Sequence, residues 1–498
     1  MTNRTIHGLS AAVLAALAGA APALGQIEVV YSSIATDPSS IVPNTGGQRF
    51  RANLSAMLTL GSSPDGTQWV FKAFLQGDAD VILAGSGTSG QAIAVEFDAA
   101  PFGPDIEWGF FDSDVGINNA GVAAFGSRLG GAGVTTASDE CIVTWDGSDY
   151  AFAAREGELA PGLFDSGTVG DETFGNSLNS PSVLTDGTVS FRADLINNIP
   201  TALRSACYIG SSVAVQEGTM ILSGETVDSF AALDGNNFSP TSDGSAWIVE
   251  ADIDPGTSSV EGAVVTGNVV LKDGDALSTG GIVDAIFGVR IADNGDWFVR
   301  GDYGAPRVDE DYVVKNGTVI IETGSDVPGT GGGEQVGDAI GTINTDPSGN
   351  WIITCNTNNA DGNLDGVIIY NGTDVLAREG DMIDLNGNGM PDDDFFITSF
   401  NANDCFISSD GYAYFFATTR DGVGTNLRDA FLRVELPPAA CAADWDNSGG
   451  QPNSSDFLAY LNDWSAQVPA ADLAPPGGDS AWDSSDFLAY LNLYSAGC

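Results

Sequence analysis

Histidine is almost missing from this sequence, with one residue, His7, in 498. Bases are scarce too: 17 Lys+Arg stand against 67 Asp+Glu, for a formal net charge of −50. Three of them are lysines, Lys72, Lys272 and Lys315. A polyanion so poor in bases repels nucleic acid and anionic lipid, because both are held by clustered Lys and Arg that displace counterions. Nucleic-acid binding is excluded on that ground. No apolar run reaches the length of a membrane span, so no transmembrane anchor is expected.

The lone histidine lies in a segment, 1–25, that reads as a signal peptide. Arg4 precedes an apolar run from Leu9 to Ala21, and Ala23-Leu24-Gly25 forms a small-x-small cleavage pattern. Its removal leaves a chain without histidine, and so without Ser-His-Asp or Cys-His catalysis or His-ligated zinc. The expected location is secreted or cell surface. The six cysteines all follow this segment, and their even number in an oxidising compartment favours disulfides. Many connectivities are open. Position favours Cys141 with Cys207 and Cys355 with Cys405, across neighbouring copies of the repeat described next, and Cys441 with Cys498 around the last segment.

What is abundant is glycine, 64 residues, and apolar side chains, 43%. From 26 to 438 an apolar strand runs into a glycine turn and out along a strand of alternating aromatic and aliphatic residues. The turn glycines are Gly66, Gly121, Gly187, Gly244, Gly295, Gly349 and Gly411, spaced by 55, 66, 57, 51, 54 and 62 residues. Asp-Gly and Asn-Gly between such runs signal hairpins, since Gly and Asn tolerate positive φ. A second hairpin follows in most copies, for example around Asn316-Gly317 and Asn371-Gly372. It ends in a shared acidic turn such as Arg155-Glu156-Gly157, Lys272-Asp273-Gly274 or Arg378-Glu379-Gly380, read as a blade-to-blade connection. Four strands per unit and seven units predict an all-β fold, a seven-bladed β-propeller. A two-domain β-sandwich is the competing architecture. The last copy lacks one strand, and Ile27–Tyr31 is a spare strand able to complete it and close the ring.

From 439 to 498 the composition changes and two near-copies appear. Asp444, Asp446, Ser448, Asn453 and Asp456 lead into Phe457-Leu458-Ala459-Tyr460-Leu461-Asn462; Asp479, Asp483 and Asp486 lead into Phe487-Leu488-Ala489-Tyr490-Leu491-Asn492. Each is an oxygen-rich loop before a short amphipathic helix, with Ser-Ser-Asp placed to cap it. This pair of half EF-hands resembles a dockerin, and its ending, with Gly497-Cys498, resembles the GC-type dockerin of exported planctomycete proteins. The resemblance implies a small α-helical anchoring or sorting module, calcium on the carboxylates named above, and a cohesin-like or other envelope protein as partner. Its loops depart from the dockerin spacing, with Ala474 where a third ligand would stand. Within the propeller, Asp384, Asn386, Asn388 and Asp392 have the 1, 3, 5, 9 spacing of a calcium loop with Gly389 at its bend.

No nucleophile motif stands out, and the catalytic residues, if any, are unassigned. The turns at Ser63–Trp69 and Asp346–Trp351 resemble the Asp-boxes of sialidase-type propellers, which are structural and face away from the central cleft. Arg192, Arg290, Arg300 and Arg307 are the candidates for the arginine cluster such an enzyme needs. Trp247, Trp297 and Trp351 are read as core between blades rather than sugar platforms. The leading functional reading is an exported non-catalytic binding or scaffold protein, with polysaccharide as one partner. The alternative is a carbohydrate-active enzyme, a glycoside hydrolase or lyase working through carboxylates.

Overall fold

The computed structural model describes residues 26–498 apart from 53–54, 165–169, 231–236, 254–259, 309, 422–425, 438–442, 444, 446–452, 469–470, 475–480 and 497–498. Seven antiparallel sheets, each built on four strand positions, make a seven-bladed β-propeller. Blade 1 comprises Met57–Ser62, Gln68–Phe74, Asp80–Ser86 and Ser89–Val95. Blade 2 follows from Ile106–Ile117 to Tyr150–Arg155, and blade 3 from Thr173–Val183 to Ser212–Gln216. In blade 4 the first position is split into Ser229–Phe230 and Phe238–Pro240, both pairing with Trp247–Asp252. Blade 5 runs from Val283–Ile291 to Thr318–Glu322 and blade 6 from Val336–Thr345 to Asp374–Arg378.

Blade 7 holds Phe395–Ile407, Tyr412–Asp421 and Leu427–Glu435, and its fourth strand is Ile27–Ser32, paired Ile27 to Val434 and Ser32 to Ala430. The spare strand thus closes the ring, and Glu28 clamps it through Arg433 Nε at 2.8 Å. All seven turn glycines have positive φ, from 68° at Gly66 to 91° at Gly411. The second hairpins turn through left-handed pairs such as Asn316-Gly317 at 50° and 81°.

Alternation along each strand puts one face against the blade before and the other against the blade after. The apolar core accordingly falls into seven clusters, each shared by neighbouring sheets. Trp247 and Trp351 are buried in two of them, and Trp297 packs against a third, as core.

Beyond the ring stand two helices, Ser454–Ser465 and Ser484–Ala496. Tyr460 and Tyr490 stack between them at 3.9 Å, with Trp445 edge-on at 5.0 Å from Tyr460. Asn453 caps the first helix, and Asp456 returns the bond by accepting from the Asn453 amide at 2.8 Å, a capping box. Asp486 accepts from Asp483, Leu473 and Ala474 amides at 2.8 Å each. Those three donors outweigh burial and hold its carboxyl below the usual range.

The four described cysteines, Cys141, Cys207, Cys355 and Cys405, are free and buried, which corrects the expected pairs between blades. Strand register is the reason. Cys141 lies one residue, and Cys207 two residues, past the head of the third strand, and a one-residue offset reverses the face. Cys141 therefore packs with blade 1 and Cys207 with blade 4, on opposite sides of the two sheets. Cys355, on the second strand of blade 6, packs toward blade 5, while Cys405, on the first strand of blade 7, clusters with Ile352 and Ile368 of blade 6. Burial pushes Cys207 and Cys355 up to about 12 and raises the other two thiols as well. Cys441, Cys498 and the segment 1–25 lie outside the described residues.

Candidate functional site: the central cavity and its ring of turns

The first strands of the blades surround an open cavity of about 490 Å³ on the propeller axis. Its lining is rich in short polar side chains and exposed backbone, including Ser62, Ser113, Ser182 and Asn344. Two glycines let the inner strands approach this closely. A Cβ on Gly61 would stand 2.6 Å from the Val115 carbonyl oxygen, and one on Gly116 2.5 Å from that of Pro181.

Residues of the glycine turns and of the inner strands form a hydrogen-bonded circuit around the mouth. Ser409 N donates to Asp65 O at 2.8 Å, Asp65 N to Asn119 Oδ1 at 3.2 Å, and Asn118 Nδ2 to Leu184 O at 2.8 Å. Thr185 N then donates to Ser242 O at 2.8 Å, Ser242 N to Asp293 Oδ1 at 2.7 Å, and Asn294 N to Pro347 O at 3.2 Å. Asn344 Nδ2 reaches Cys405 O at 3.0 Å and completes the seven links. The two Asp-box-like turns belong to this circuit. Asp65 Oδ1 accepts from Thr67 N at 3.0 Å and Asp346 Oδ1 from Ser348 and Asn350 N at 2.9 Å, a structural use. Their expected orientation needs correction: Ser63, Pro64, Asp346 and Pro347 line the cavity, because this end of each blade surrounds the axis.

Among the described residues five ionisable ones line it, Asp114, Asp293, Asp346 and Asp404 with one base, Arg290. Asp114 accepts from Ser180 N of the next blade at 2.9 Å. Asp404 accepts from Leu60 N at 2.9 Å; burial pushes its carboxyl up to about 7, against the opposing pull of that amide. The other candidate arginines are engaged elsewhere. Arg192 bonds Ser205 Oγ, Arg300 the Ile340 carbonyl, and Arg307 pairs with Glu310 and Glu322.

The predicted calcium loop is closed by its own hydrogen bonds. Asp384 Oδ1 accepts from Gly387 N at 2.8 Å and Oδ2 from Gly389 N at 2.9 Å and from Gln26. Asn386 Oδ1 takes Asn388 N, Asn388 Oδ1 takes Met390 N, and Asp392 Oδ1 takes Asn388 Nδ2. Among the described residues no group of three or more His, Cys, Asp or Glu is arranged to hold a metal ion. In the tail, Asn453, Asp456, Asp483 and Asp486 serve as helix caps, while Asp444, Asp446, Ser448 and Asp479 lie outside the described residues.

Two acid positions repeat between the blades, and the first of them escaped the sequence. The first lies at or near the head of the third strand: Asp80, Asp311 and Asp429 are buried there, and with Glu261 they reach into the next blade. Asp80 accepts from Phe111 N at 3.0 Å, Glu261 from Ile286 N at 2.9 Å, Asp311 from Ile340 N at 2.7 Å and Asp429 from Ala56 N at 2.5 Å. The second is the acid of the shared turn, which accepts from the amide of the first position. Glu96 takes Asp80 N at 2.9 Å, Asp273 takes Glu261 N at 3.0 Å, and Glu379 takes Gly366 N at 2.9 Å. The turn glycine then donates to the next blade: Gly157 to Phe174, Gly274 to Val283, Gly324 to Val336 and Gly380 to Ile397, all at 2.9 Å. The acidic turn is therefore a blade-to-blade latch, as expected. Alignment on this register, rather than on glycine spacing, is the signal that would have found the first position.

The profile described as "Family of unknown function (DUF7453)" matches residues 65–268, from the first turn of blade 1 into blade 4. No curated protein matches the chain. Among solved structures it is similar to prolyl oligopeptidase B from Galerina marginata, at 14% identity and TM-score 0.35 over 74% of this chain and 47% of that one. It is also similar to a puromycin-hydrolyzing peptidase of Mycobacterium tuberculosis, at 11% identity and TM-score 0.38 over 81% and 58%. Sqt1 of Saccharomyces cerevisiae aligns at 9% identity and TM-score 0.30 over 81% and 93%. The chain spans about half the length of the first of these.

Proposed function

We propose that this propeller is a non-catalytic binding protein that takes a small hydroxyl-rich ligand, such as a short saccharide, into its central cavity. The cavity carries the reading. Its volume of about 490 Å³ suits such a ligand. Its lining of serine hydroxyls, Asn344 and strand backbone offers many neutral hydrogen-bond partners. Four carboxylates against one arginine disfavour an anionic ligand. In the same proposal the tail is the dockerin-like anchoring part that displays the propeller at the surface.

Calorimetric titration of the full chain with a panel of neutral oligosaccharides tests the reading. Saturable heat with unchanged sugar, lost on Asn344→Leu at the cavity wall, supports it. New reducing ends or unsaturated products would replace it with the hydrolase or lyase alternative, and absence of heat across the panel would end it.

A further inference from the structure

At the junction of blades 1 and 2 three acids meet two bases. Lys72 Nζ lies 3.0 Å from Asp80, with side chains 9% and 5% exposed, and Arg128 Nε lies 2.8 Å from Glu140. Asp112, on the first strand of blade 2, has no base to itself; it neighbours Glu140, with Lys72, Arg128 and Asp80 around it. Its Oδ2 is buried, and among the described residues nothing donates to it. An ionised carboxylate there is an orphan acceptor, whereas a proton held between Asp112 and Glu140 supplies the missing donor. Glu156 repeats the arrangement. Its Oε2 is buried without a donor, and the Asp139 carboxyl stands within hydrogen-bonding reach. Glu379 also has an acid, Asp365, as its neighbour, but its Oε2 accepts from Gly366 N.

We propose that the propeller holds protons on buried carboxyls at its blade junctions, one shared by Asp112 and Glu140 and others on Glu156 beside Asp139 and on Glu379 beside Asp365, so that it is tightest in acidic surroundings and loosens as pH rises to neutrality and through it.

The electrostatics agree with the geometry. Burial, then the Asp112 charge, pushes Glu140 up to about 8, and burial pushes Glu379 up to about 7. Asp112 and Glu156 are raised in the same direction, again by burial first. A carboxyl raised on folding binds a proton that the unfolded chain has already released. Its contribution is complete below the unfolded value near 4.5 and is lost as pH climbs through the folded value of about 7 to 8. The dependence is the reverse of ordinary acid denaturation.

Few other groups titrate in this window, because His7 is the only histidine and ordinary carboxylates finish below about pH 6, which leaves Asp404 as a further raised carboxyl that the glutamine variants do not touch. Thermal unfolding of the full chain at fixed salt, from about pH 5 to pH 9, should show Tm falling on the order of 5 °C between about pH 5 and pH 8 and levelling beyond. Glu140→Gln and Glu379→Gln should each flatten part of that fall. A Tm that is level or rises over the window overturns the proposal, and so do glutamine variants that fall in parallel with the parent. Should a variant fail to fold, infrared difference spectra of the unaltered protein decide. A protonated-carboxyl stretch that disappears between about pH 6 and pH 9 is expected, and its absence overturns the proposal.

Discussion

The junction of blades 1 and 2 and that of blades 4 and 5 perform one task with opposite charge inventories. At the first, Lys72 and Arg128 are set among Asp80, Asp112 and Glu140. At the second, burial and the charges of Glu261, Asp284 and Asp252 act on Asp273. Both junctions nonetheless make the same bond, from a carboxylate at the head of the third strand to an inner-strand amide, at 3.0 and 2.9 Å. The common element is therefore the carboxylate-to-amide hydrogen bond, and the bases of the first junction are local compensation. A base-poor sequence can afford this design because backbone amides supply the positive ends of its dipoles.

Three substitutions sharpen that contrast. Lys72→Met should have the largest effect, about 3–5 kcal/mol by chemical denaturation, because it leaves Asp80 buried beside Asp112 with its partner gone. Retention of full stability would mean that the Phe111 amide alone sustains the charge. Glu261→Ala, at the second junction, should cost about 1–2 kcal/mol by orphaning the Ile286 amide. Asp273→Asn should act in the opposite direction. Burial and its acidic neighbours push Asp273 up to about 6, so its charge is a liability at pH 8. An amide that still accepts from Glu261 N should leave stability unchanged at about pH 4 and raise it by under about 1 kcal/mol at pH 8.

Much of the architecture was legible because backbone geometry constrains residue type. Positive φ at seven turns selects glycine at each, so the blade number could be counted from Gly66 to Gly411. The closing strand was legible because Ile27–Tyr31 had no partner in sequence while the last copy lacked one. The head-of-strand acids were not, since the same position holds Asp80, Glu140, Ser205, Glu261, Asp311 and Asp429 in a chain crowded with acids. Only the register of each strand against its neighbour aligns them. Cysteine facing failed for a related reason: a one-residue offset within the third strand decided which blade Cys141 and Cys207 meet, and Cys355 and Cys405 stand on different strands of their blades. The cavity lining is spread over all seven units, and no local pattern announces it.

The velcro of Ile27–Ser32 onto Leu427–Glu435 also orders events in time. Synthesis delivers the closing strand first and its partner last, so the strand must remain unpaired while nearly the whole ring is assembled. The entropy of joining ends so distant in sequence grows only logarithmically with the intervening length, but it must be met in one final step. Until then Ile27–Ser32 and the Leu427–Glu435 edge of blade 7 both stay unpaired. A ribosome that stops early therefore releases a chain that cannot seal, and the seal itself reports that translation has reached Glu435.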